Sequence, residues 1–160
     1  MASRVLVAIR VSATPDRAFR VFTEEIGAWW KPNGLFPLAG NPVGTLAFEP
    51  GPDGRLVERR SDGEYEVGRI LRWAPPGELA FAWRPASFEV HQSTEVRVRF
   101  EAVGDQTRVT VEHHGWDSIP QEHAARHGFP LSDFLRREAE WLQQLLARYR
   151  VRLSGASYVP

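Results

Sequence analysis

Between residues 45 and 116 the chain is written in short runs of alternating apolar and polar residues, and this constrains its fold more than any other feature. TLAFE places Leu46 and Phe48 on one face, and ELAFAW does the same for Leu79, Phe81 and Trp83. TEVRVRF repeats the pattern with Val96, Val98 and Phe100, and RVTVEH with Val109, Val111 and His113. A period of two belongs to half-buried strands, whose successive side chains point to opposite faces. The runs are separated by PGPDG, SDG, PPGE and the Gly104-Asp105 pair, all turn-forming. Sequential strands joined by tight turns make an antiparallel meander. Its other face carries Arg97, Arg99, Glu101, Thr110 and Glu112, so one side packs and the other meets water.

The packing face needs a cover, and the C-terminal part supplies one. SDFLRREAEWLQQLLARYR has Leu135, Ala139, Leu142, Leu145, Leu146 and Tyr149 at helical spacing. Upstream, Val5, Val7, Ile9 and Val11 alternate as in a strand. ATPDRAFRVFTEEIGAWW then reads as two short helices ending at Trp29 and Trp30, with Thr14 as N-cap and Pro15 at the first helical position. The loop KPNGLFPLAGNPVG follows. The expectation is an α+β chain: a curved antiparallel sheet of six or seven strands, two short helices, and one long helix packed across the sheet around a cavity. Residues 1–152 form a single domain in this reading, and 153–160 a flexible tail.

Twenty basic and twenty acidic residues balance, so the electrostatic footprint of a nucleic-acid binder is missing. The absence of cysteine removes disulfides, thiolate nucleophiles and cysteine-ligated zinc. Arg10 interrupts the only leader-like apolar run, and no stretch approaches the roughly 20 apolar residues of a membrane helix. A cytoplasmic protein is expected, and a single lysine, Lys31, among twenty basic residues points to a GC-rich bacterial genome.

TVEHHGWDSIP concentrates the polar chemistry. On a strand, His113 points with Val109 and Val111 to the core and His114 to solvent, so the two rings cannot hold one ion together. His113 is either a core histidine with protein partners or a polar anchor in a cavity. His123 and His127 stand four apart, the spacing of a two-histidine site on a helix, but HExxH is not formed because Ala124 follows His123. Neither a GxSxG elbow nor a phosphate-cradling glycine loop is present. No catalytic set, cofactor or metal site is assigned. The aromatic residues carry more: Trp30, Phe36, Phe48, Trp73, Phe81, Trp83, Phe100, Trp116 and Trp141, with His113 and Leu142, are the candidate lining of a cavity for a flat or greasy molecule. The loop 31–44 and the segment 116–130 are candidate lids.

ATPDRAFRVFT with the Trp pair, GRILRWAPPGELAFAWRP, VRVRFEAVGDQTRVTVEHHGW and a final helix with EWLQQLL come in an order that resembles the helix-grip fold of the START-like, Bet v 1-like (SRPBCC) superfamily. More narrowly, residues 4–150 resemble bacterial homologues of the heat-shock-protein-90 ATPase activator, in which the strand end reads T-R-V-T-L-x-H-x-G-W; His113, Gly115 and Trp116 match that pattern. The resemblance implies a cavity between sheet and long helix suited to an apolar small molecule, and distant relatives use it for lipid transfer, hormone binding or polyketide cyclisation. The eukaryotic activators are similar to this chain only in their C-terminal domain. Three functions follow as expectations: binding of a hydrophobic or aromatic small molecule; a cyclase- or aromatase-like enzyme in which His113 or Arg69 moves a proton; and a protein-interaction module, as a chaperone partner or a homodimer.

Overall fold

The computed structural model describes residues 3–33, 35–37, 44–85 and 87–155. Strand β1 (Arg4–Val11) leads into α1 (Pro15–Glu24) and α2 (Ile26–Trp29). Six strands follow: β2 (Thr45–Phe48), β3 (Arg55–Arg60), β4 (Gly63–Ala74), β5 (Glu78–Trp83), β6 (Thr94–Val103) and β7 (Gln106–His114). Two 3-10 turns, Trp116–Ser118 and Ala124–Arg126, connect β7 to the long helix α3 (Leu131–Leu153). The seven strands form one curled antiparallel sheet in the order β1-β7-β6-β5-β4-β3-β2. The meander read from alternation is therefore present, with β1 closing it beside β7.

The caps explain the helix starts. The Thr14 hydroxyl accepts from the Arg17 amide, and Pro15 occupies the first turn, where its missing N–H costs nothing. Ala18, Phe19 and Phe22 form the buried face of α1, as their spacing predicts.

Strict alternation fails in one strand, and the departure shapes the sheet. In β4, Ile70 and Trp73 would fall on opposite faces, yet they stand opposite Phe81 and Leu79, both core residues of β5, because the pairing slips between Ile70 and Arg72. A second slip, opposite Leu56 and Val57 of β3, leaves Val67 of β4 as the extra residue. Each extra residue bends its strand and increases the local twist, which curls the sheet towards α3. Gly68 sits at this bend: a Cβ there would lie 1.8 Å from the Ala82 carbonyl oxygen, so no larger residue fits.

Helix α3 is turned slightly from the stripe expected of it. The fully buried positions are Phe134, Glu138, Trp141, Leu142, Leu145, Leu146, Tyr149 and Leu153, while Leu135 and Ala139 are only half-buried. The rotation carries a carboxylate into the core, and its reason lies in the partners that meet it there. At its other end α3 is fixed by the Tyr149 hydroxyl, which donates to the Ala18 carbonyl at 2.6 Å. Leu153, where the tail was expected to begin, is the last helical residue and is buried; residues 156–160 lie outside the described residues.

Candidate functional site

Strand β7 delivers His113 to the inner face at the sheet end, with only 2% of its surface exposed. His114 takes the outer face and pairs with Glu112, so the two rings diverge as alternation requires. Both nitrogens of His113 have protein partners. Nε2 lies 2.7 Å from the Thr94 hydroxyl, which itself donates to the Trp83 carbonyl at 2.9 Å. Having spent its proton there, the hydroxyl accepts, so Nε2 carries a hydrogen. Nδ1 lies 2.8 Å from Glu138 Oε2, and one further proton is held between ring and carboxylate. The pair is neutral as a unit, which makes its complete burial tolerable.

Glu138 has a second partner. Gly115 adopts a left-handed conformation (φ 103°) that a side chain would strain, and this turns the chain back so that Trp116 lies over the end of the sheet. The Trp116 indole N–H then points at both Glu138 oxygens, 3.1 Å from each. The next residue secures the turn from outside: Asp117 Oδ1 accepts from the Ser3 hydroxyl and amide, contacts that hold this carboxyl below the usual carboxylate range. Glu138 thus ties a strand histidine and a loop tryptophan to the long helix.

Trp116 is also the inner wall of a pocket of about 260 Å³. Trp83 and Pro85 form its floor, Leu35, Phe36 and Pro37 one side, and Ala124, Ala125 and His127 the other, with Ser87 at the rim. None of these residues carries a fixed charge. The side formed by the second 3-10 turn is propped from below by Arg126, which is buried and donates to the Ile119 and Phe129 carbonyls. Burial pushes its guanidinium below the usual arginine range. The other side is set by Asn33, whose side chain accepts from the Leu35 and Phe36 amides.

The candidate lining residues divide into three groups. Phe36, Trp83 and Trp116 meet at this pocket. Phe48 and Trp73 line a second apolar pocket of about 240 Å³ at the opposite end, beside Phe19 and Pro75. Between the two ends, Trp30 packs against Phe81, Trp83 and Trp141, with ring centroids 5.4–6.4 Å apart, and Phe36 stacks on Trp141 at 4.5 Å. Phe100 packs against Phe19 and Phe22, and Leu142 is buried in the same core. Rings therefore occupy much of the space between sheet and helix.

The two-histidine spacing is not realised on a helix. His123 caps the second 3-10 turn, its Nδ1 accepting from the Ala125 amide, while His127 ends that turn in a left-handed conformation and bonds to Leu35. Among the described residues no group of three acidic or histidine side chains is arranged to hold a metal ion. Sequence reasoning missed Glu138 and Thr94. Glu138 had a signal: it sits four residues after Phe134 and three before Trp141, inside the apolar stripe, where a carboxylate needs a buried partner.

A curled antiparallel sheet closed by one long helix defines the START-like, Bet v 1-like helix-grip class. Within it, the family model described as Activator of Hsp90 ATPase homolog 1-like protein matches residues 12–140, and the chain belongs to that family. Among solved structures, the Aha1 dimer from Colwellia psychrerythraea is similar over 97% of this chain and 98% of its own, with a TM-score of 0.66 and 15% identity. The self-sacrificing resistance protein CalC from Micromonospora echinospora is 27% identical, covering 96% of this chain and 97% of its own, with a TM-score of 0.64. Protein MLL2253 from Mesorhizobium loti covers 97% and 99%, at a TM-score of 0.65 and 17% identity. No curated protein matches the chain.

Proposed function

We propose that the chain binds a small, flat, uncharged molecule in the pocket between Trp83, Trp116 and Phe36, as a carrier, sensor or sequestering protein. The observation that carries this reading is the pocket itself: aromatic, proline and aliphatic walls with no fixed charge, held by a fully bonded polar network behind Trp116. At about 260 Å³ it lies just below the roughly 300–1,000 Å³ of drug-sized sites, so a one- or two-ring ligand is favoured. The outer face of the sheet has a larger groove of about 420 Å³, but it is lined with charged side chains, among them the Arg72–Glu78 and Arg97–Glu95 pairs, which does not suit an uncharged ligand. The description of CalC as a self-sacrificing resistance protein lends support to a sequestering role among the three.

In this reading His113 acts as a positioning residue. Both its nitrogens are committed, to Thr94 and Glu138, so it serves the site by fixing Trp116 through the shared carboxylate. Equilibrium dialysis with benzofuran tests the proposal. The protein should retain it with a dissociation constant on the order of 0.1–1 mM, a range set by the ligand's few atoms. Ala124→Trp, which places a ring into the pocket from an exposed backbone position, should abolish retention without lowering the melting temperature. Equal retention by the plugged variant would place the ligand elsewhere and refute the proposal.

A further inference from the structure

One wall of the pocket carries a chemical preference, and its argument rests on the small-molecule reading just given. His127 is the only non-glycine residue with positive φ among the described residues (φ 53°), and its Nε2 lies 2.6 Å from the Leu35 carbonyl oxygen. A carbonyl only accepts, so Nε2 carries the ring proton. In the neutral imidazole Nδ1 is then a bare acceptor, and none of the described residues donates to it. His127 lines the pocket, so any hydrogen bond this ring makes with an occupant runs through Nδ1.

We infer that His127 selects, within the class of flat apolar ligands, those that carry an N–H or O–H donor on the ring edge. Among the described residues no other lining side chain is a pure acceptor, since the Trp83 indole N–H can only donate. Trp116 has spent its indole N–H on Glu138 and presents ring surface to the pocket. The Ser87 hydroxyl both donates and accepts, so it treats donor and acceptor ligands alike. His127 in the form fixed by Leu35 can only accept.

Indole and benzofuran isolate this contact, because they share size and flatness and differ in an N–H against a ring oxygen. Their affinities are measured by equilibrium dialysis at about pH 8, where imidazole side chains are generally neutral. Two variants separate the roles of the two ring nitrogens. In His127→Gln the side-chain amide can still donate to the Leu35 carbonyl, but the acceptor at the Nδ1 position is gone, because the amide's own oxygen lies at the far end of the side chain beside that contact. In His127→Asn the left-handed backbone is well tolerated and an acceptor remains near the Nδ1 position, but the reach to Leu35 is lost.

The ratio of indole to benzofuran affinity should fall roughly three- to ten-fold in His127→Gln, the worth of one ordinary hydrogen bond. Benzofuran affinity should change little in that variant, and His127→Asn should keep part of the preference for indole. An affinity ratio unchanged between the native protein and His127→Gln overturns the selection by Nδ1 while leaving the pocket as a binding site. Failure of the native protein to retain either compound overturns both readings.

Discussion

Glu138 governs how much of the interior depends on single groups. Removing one partner of a buried pair strands the other, so His113→Ala should cost about 3–5 kcal/mol in urea unfolding. Glu138→Gln should be far milder, within about 1.5 kcal/mol, because its amide can donate to His113 Nδ1 while its oxygen accepts from Trp116. The double variant His113→Phe/Glu138→Leu should lose less than the sum of its two single changes, since neither member of the His113–Glu138 pair is then left without the other and only the Trp116 N–H loses its acceptor. Full additivity would mean that the two side chains are not coupled. Tyr149 offers a test by pH. Burial pushes its phenol above the usual tyrosine range, so above about pH 10 the unfolded chain releases a proton that the folded chain keeps. Stability should therefore be fully present below that pH and fall as pH rises, by about 1.4 kcal/mol per unit from this residue. Tyr149→Phe should remove that share of the slope, and an unchanged alkaline slope would place the loss at other groups.

At the scale of elements, Gly68 marks where the sheet must curl. Gly68→Ala should destabilise by about 3 kcal/mol, because the Cβ meets backbone that cannot rotate away. A cost below 1 kcal/mol would mean that β4 relaxes at the bend. Most elements were legible because each buries one face against a continuous core: alternation located the strands, and Thr14 with Pro15 located the first helix. The slip in β4 was not legible. GRILRW sets Ile70 and Leu71 side by side, which breaks the alternation without saying which of the two turns inward, and only closure of the sheet around α3 makes it worthwhile to bring Ile70 and Trp73 to the same side. The small rotation of α3 was hidden for a related reason. Leu135 and Ala139 look like better core residues than Glu138 until His113 and Trp116 are known to converge on the carboxylate.

At the scale of the whole molecule, the aromatic list in the sequence could not say which rings fill space and which border it. Trp30, Phe81, Trp141, Trp83 and Trp116 are alike in the sequence and all pack against other rings, but only Trp83 and Trp116 of these five also border the pocket. That distinction depends on three chain segments, around residues 36, 84 and 125, meeting across long sequence separations, and no local pattern encodes the meeting. The second apolar pocket, bordered by Trp73, provides an internal control. The most direct measurement is an NMR titration of the nitrogen-15-labelled protein with benzofuran, following the side-chain N–H signals of its six tryptophans. The account predicts shifts at Trp83 and Trp116 and at amides near residues 35–37 and 124–127, with Trp73 unmoved. Shifts centred on Trp73, or none at any tryptophan, would contradict it.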